Sequence, residues 1–166
     1  TDEAELDGLP ETAREAAAQA ARERGLEGWI FTLDQPIFSP FMTYSTRRGL
    51  RQKMYMAKNT VCTHDNSENN IDICRRLINL RLEIARLLGH RTYADYVLKH
   101  RMAMKTRNVY QLLDQLVEAY RPTALKEIEA VKHMAWNLEK HPFRLQPWDF
   151  SYYSHKLQMK RYNIDS

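Results

Sequence analysis

The stretch Asn70–Gly89 reads NIDICRRLINLRLEIARLLG. Its apolar residues recur at helical spacing and fall into two stripes. One holds Ile73, Leu77, Leu80, Ile84 and Leu87; the other holds Cys74, Ile78, Leu82, Ala85 and Leu88. A helix with one stripe lies on a surface, whereas two adjacent stripes imply burial over a wide arc. Asn69 or Asn70 starts this helix and Gly89 stops it.

Reading outward towards the C-terminus, Thr92 caps a short helix from Tyr93 to Lys99. Thr106 opens the longest helical stretch, which reaches about Glu139. Val109, Leu112, Leu113, Leu116, Val117 and Tyr120 make its first apolar face, and Leu125, Ile128, Val131, Ala135 and Leu138 its second. Pro122 should kink or break it near Tyr120, because proline removes a backbone donor and crowds the preceding turn. Asp149 is placed to cap a last helix from Phe150 to about Arg161. Towards the N-terminus, the polar break Cys62–Glu68 precedes the decisive helix. Ser45 or Thr46 starts a helix reaching about Val61, with Leu50, Met54 and Ala57 on one face. Residues 37–44 hold one helical turn around Pro40. Leu9–Arg24 is an alanine-rich helix, with Pro10 in its first turn and Gly25 as its stop. Between them, Trp29-Ile30-Phe31-Thr32-Leu33 is β-branched and aromatic and reads as a strand. A strand needs a partner, and the extended segment Phe143–Gln146, between Pro142 and Pro147, is the one available. The fold class is therefore mainly α: a multi-helix array with one short, hairpin-like strand pair, residues 29–33 with 143–146.

Composition agrees. In 166 residues, 43% are hydrophobic and 28% charged, and only five glycines and six prolines occur, which argues against a turn-rich β-sandwich. A chain of this size hides roughly 70% of its unfolded surface. Lys and Arg number 25 against 21 Asp and Glu, a net charge of +4 with mixed signs, which permits nucleic acid without demanding it. Two cysteines, Cys62 and Cys74, exclude a disulfide framework and suit a reducing compartment. No run of 18 apolar residues and no basic segment followed by an apolar one is present, so neither a spanning helix nor a signal peptide is read. The first residues, from Thr1, look like mid-protein sequence, and excision from a longer chain is expected.

The residues that carry chemistry are scattered. His64, His90, His100, His133, His141 and His155 form no i, i+4 pair. The tightest metal-ligand grouping, Cys62 and His64 with Cys74, lacks the second short-spaced pair of a zinc site and is read as packing near a loop. The loop His64-Asp65-Asn66-Ser67-Glu68 holds acid–base groups but reads as a solvated connection. No Gly-x-Ser-x-Gly and no glycine-rich loop before a helix occurs. Arg47, Arg48, Arg51 and Lys53, with Arg75, Arg76, Arg81 and Arg86, could face phosphates; interleaved acids favour a solvated face. Trp148-Asp149-Phe150-Ser151-Tyr152-Tyr153 is the most unusual run. Adjacent helical tyrosines point about 100° apart, so one ring can be buried while the other faces a groove.

The order of these features resembles the thimet oligopeptidase family of zinc metallopeptidases, in its oligopeptidase A and peptidyl-dipeptidase branch. The matching pieces are Glu5-Leu6-Asp7-Gly8-Leu9-Pro10, Thr32-Leu33-Asp34-Gln35-Pro36, Arg51-Gln52-Lys53-Met54-Tyr55 with Asn59-Thr60, residues 79–89, Thr92–Leu98, and Pro147-Trp148-Asp149 with Tyr152-Tyr153. The resemblance covers nearly the whole chain. It implies a zinc enzyme hydrolysing short peptides, whose metal is held by His-Glu-x-x-His and a further glutamate. That motif is absent, so no catalytic and no metal-binding residue carries over. Residues 1–166 are then expected to be a single helical fragment of a larger peptidase, inactive alone and binding no zinc itself. The resemblance places this region in the walls of a deep channel. Trp148, Asp149, Tyr152 and Tyr153 become candidates for contacts with the substrate channel or with the remainder of the same polypeptide. An exposed apolar patch should remain where that remainder would sit, and could drive oligomerisation. A cytoplasmic home is implied, with neither nucleic acid nor membrane as partner. The competing reading is a stand-alone helical module that binds an acidic partner or nucleic acid.

Overall fold

The structure, a computed structural model, describes residues 3–140 and 143–163; His141 and Pro142 lie outside them. The elements in chain order are a 3-10 turn Glu3–Leu6, α1 (Glu11–Arg22), α2 (Gln35–Tyr44), α3 (Arg48–Asn59), α4 (Ile71–Leu87), α5 (Tyr93–Leu98), α6 (Thr106–Glu139), a 3-10 turn Pro147–Asp149 and α7 (Phe150–Tyr162). The fold is mainly α. No described helix is long and apolar enough to cross a membrane.

The chain divides into two compact units, Thr1–Val61 with Glu127–Ser166, and Cys62–Lys126. In the first unit, Leu6, Leu9 and Phe41 form a buried cluster against which Trp29, Phe31, Tyr44, Leu50 and Met54 pack. Val131, Ala135 and Tyr153 form a second, with Phe143, Leu145, Tyr152 and Leu157. The alanines of α1 explain how it packs: Ala13, Ala17, Ala20 and Ala21 are buried, and side chains this small let a helix approach its neighbours closely. Gly25 ends the helix region at φ +67°, and the Leu26 amide reaches back to the Ala21 carbonyl.

The expected strand pair does not form. Residues 29–33 and 143–146 adopt no strand, and no strand occurs among the described residues. The aromatic run is apolar because Trp29 and Phe31 serve the core, while its backbone finds other partners. The Ile30 amide donates to the Ala17 carbonyl of α1 at 3.0 Å, and the Lys58 ammonium donates to the Leu33 carbonyl at 2.7 Å. In the second segment the Arg144 carbonyl accepts from Arg48 and the Gln146 amide donates to Asp149. These side chains and a helix carbonyl take the place of a ladder. The single turn expected around Pro40 is instead a ten-residue helix. Pro36 sits in its first turn, where a missing amide costs nothing.

A glycine fixes how the N-terminal turn meets the α2–α3 junction. Gly8 has φ +83°, and a Cβ there would strike the Tyr44 carbonyl and lie 2.8 Å from Thr46 Cγ2. That approach lets the Thr46 amide donate to the Asp7 carbonyl at 3.1 Å and the Thr46 hydroxyl to the Asp7 carboxylate. Arg47 closes the same junction by donating to the Ala4 carbonyl from Nε and Nη2.

In the second unit the Thr92 cap forms as expected. Its Oγ1 accepts from the Asp95 amide at 3.1 Å and donates to Asp95 Oδ2 at 2.8 Å. Asp95 Oδ1 accepts from the Thr106 hydroxyl at 3.2 Å, tying α5 to the start of α6. The stripes of α4 are placed on a helix as read, but their burial does not follow. Only Ala85 is buried, whereas Ile73, Leu77, Leu80 and Ile84 are exposed and Leu87 is 86% exposed. The first half of α6 is likewise bare, with Leu112, Leu113, Leu116, Val117 and Tyr120 in the open. Nor does Pro122 break α6, which is assigned as one helix of 34 residues. Proline's φ is compatible with a helix, and the carbonyl it leaves without a helical donor, that of Glu118, sits on an exposed turn where water can donate.

Two outcomes follow from these contacts. Gly8→Ala should cost at least about 2 kcal/mol in urea unfolding, from backbone strain and the blocked approach to Tyr44; an unchanged midpoint would show that the turn is not clamped. The hydroxyl of Thr92 holds the Asp95 carboxyl below the usual carboxylate range, with Thr106 adding to the effect. A depressed native value gives stability above the unfolded value of about 3.9 that is lost as pH falls through the native one. Thr92→Ala should therefore make acid-induced helix loss less steep by circular dichroism. An identical acid limb would dismiss the cap as its cause.

Candidate functional site

The residues singled out around Trp148 meet α3 in the first unit. Arg48 and Arg51 lie three positions apart on one face of α3, so both can reach one acceptor. That acceptor is Asp149, which is 0% exposed. Arg48 donates from Nε to Oδ1 at 2.9 Å and from Nη2 to Oδ2 at 2.8 Å. Arg51 donates from Nη2 to Oδ1 at 3.1 Å. The Gln146 amide adds a backbone bond, to Oδ2 at 3.0 Å. Arg51, itself 1% exposed, spends its other nitrogens on the carbonyls of Ser45 at 2.7 Å and Trp148 at 3.2 Å. The bonds to Asp149 hold the Arg48 guanidinium above its ordinary value, against the opposing effect of burial.

Asp149 occupies the N-cap position of α7, as the sequence indicated, but its side chain does not serve as the cap. It closes the 3-10 turn Pro147–Asp149 through a capping box with Gln146, and its side chain makes no cap bond to α7. Two arginines compete for the same carboxylate oxygens, and charge-assisted bonds are the stronger.

The two tyrosine rings meet edge to face, with centroids 5.1 Å apart and planes at 86°, yet they differ in burial. Tyr153 is buried against Phe143, and its hydroxyl donates to Glu139 of α6. Burial first, and then this hydrogen bond, push its phenol well above the ordinary value. Tyr152 stays half-buried with the Arg51 guanidinium 4.3 Å from its ring centroid. Burial raises its pKa too, and the Arg51 charge opposes the rise. Trp148 is partly exposed and packs edge-on against Tyr55.

The other candidates are dispersed. Arg47 is spent on the N-terminal turn. Arg75 pairs with Asp72 on the surface of α4, and Arg81 lies over the Tyr93 ring. Cys62, His64 and Cys74 make no ligand set: among the described residues, no three His, Cys, Asp or Glu side chains come together in a way that could hold a metal. These donors do not fit a zinc ion, and no step through zinc is assigned to them. Sequence reasoning named Arg48 and Arg51 but read them as a solvated face, whereas Arg51 is buried; it missed Glu139. The i, i+3 spacing of Arg48 and Arg51 was a usable signal; nothing local pairs Glu139 with Tyr153.

The model of peptidase family M3 matches residues 41–166, the span holding α3, the 3-10 turn and α7. The chain belongs to peptidase family M3. This M3 chain is 38% identical to oligopeptidase A of Haemophilus influenzae over 98% of its own length and 24% of that protein. It is 38% identical to Escherichia coli oligopeptidase A over 99% of its length and 25% of that protein. It is 27% identical to E. coli dipeptidyl carboxypeptidase over 99% of its length and 24% of that protein. The M3 chain thus spans about a quarter of the length of the curated relatives it matches.

Removing the Asp149 carboxylate leaves Arg51 buried and unpaired. Asp149→Ala should cost about 3–5 kcal/mol in urea unfolding; a loss below about 1 kcal/mol would mean that the pair carries no specific weight. For Tyr153 the sign is opposite to that for Asp95, because its value is raised on folding and not lowered. Its stabilisation is complete below the unfolded value of about 10 and is lost as pH rises above it, because only the unfolded chain ionises there. Tyr153→Phe should flatten the loss of stability above that pH, and native-state titration by absorbance should show no fewer ionising tyrosines in the variant until unfolding begins. A tyrosine signal lost at the ordinary value would contradict the burial.

Proposed function

We propose that this chain is a helical, non-catalytic portion of a zinc-dependent peptidase that hydrolyses short peptides. The observation that carries the reading is the 38% identity, over nearly the whole chain, to two bacterial proteins named oligopeptidase A. The name dipeptidyl carboxypeptidase of a third relative points to the same bond being hydrolysed, from a chain end. Zinc, in this reading, would be held by residues of the longer polypeptide and would supply Lewis-acid chemistry for peptide hydrolysis when bound.

What this chain supplies is shape. Asp149 is bonded to two arginines and an amide and is shut away from water, so it is a positioning group and not a proton carrier. Through the Trp148 carbonyl and the Tyr152 ring, Arg51 orients the two partly exposed aromatics of the hub. We assign Trp148 and Tyr152 to contacts with the substrate channel or with the remainder of the polypeptide, and Asp149 and Tyr153 to holding them. The bare aliphatic faces of α4 and of the first half of α6 support a role as wall helices that meet that remainder. A cytoplasmic location and short-peptide substrates complete the proposal.

The natural full-length protein should cleave a fluorescence-quenched peptide, lose that activity on chelation and regain it with zinc. Residues 1–166 alone should carry no stoichiometric zinc and show no turnover. Cleavage that survives chelation overturns the zinc assignment, and turnover by residues 1–166 overturns the non-catalytic one.

A further inference from the structure

We draw no further inference here: the strongest candidate, the aliphatic face that Ile73, Leu77, Leu80, Ile84 and Leu87 present on α4, is an unpartnered helix face, and nothing in the structure shows what covers it.

Discussion

The Asp149 carboxylate accepts from two guanidinium groups that enter the chain 101 and 98 positions earlier. Taking an ionised carboxylate and a guanidinium out of water costs several kcal/mol per ion, and mutual attraction offsets this only when the remaining donors and acceptors are also met. Here they are met. Both oxygens of Asp149 are shared between arginine nitrogens and a backbone amide, and Arg51 has carbonyl partners for its other nitrogens. Among the described residues no buried side-chain nitrogen or oxygen lacks a partner. The hub therefore acts less as a source of net stability than as a condition on geometry. It admits one placement of α3 against the Pro147–Asp149 turn, and the Tyr152 ring and Trp148 carbonyl are set by it.

A second tie of a different kind works at the α2–α3 junction. The Asp7–Gly8 backbone lies against Tyr44 and Thr46 with no room for a side chain. The hub is electrostatic and tolerates only matched charges; this junction is steric and tolerates only glycine. The Leu6, Leu9 and Phe41 cluster and the rings that cover it supply apolar burial without specifying a register. The division of labour is the usual one, with non-directional burial supplying the driving force and a few polar contacts selecting the arrangement.

The helices were legible in the sequence because their signals are local. Thr92 caps α5 through a bond three residues long, and the spacing of the α4 stripes survives whatever surrounds them. What failed to show was where backbone and charge find distant partners. The apolar run 29–33 announces burial but not the identity of its hydrogen-bond partners, which proved to be a helix carbonyl and a lysine. Asp149 carries a local cap signal that two arginines from α3 override. Stripe pattern likewise says which face of α4 is apolar, not whether a neighbour lies within these residues to bury it. The pieces that carried the family resemblance have a physical counterpart, since Arg51, Trp148, Asp149, Tyr152 and Tyr153 converge on one hub, while Asp7 and Gly8 make the steric junction.

The first unit is built from two stretches of chain with another compact unit inserted between them. Arg51 leaves the ribosome 98 residues before Asp149, so at a synthesis rate of about 5–20 residues per second the guanidinium waits on the order of 5–20 s for its carboxylate. During that interval the early helices can gather around Leu6, Leu9 and Phe41, but α3 has no charge to dock against. Residues 62–126 must be made, and can organise themselves, before the first unit closes. Synthesis thus separates residues that become neighbours in space, and α3 is locked by a turn made after the intervening unit.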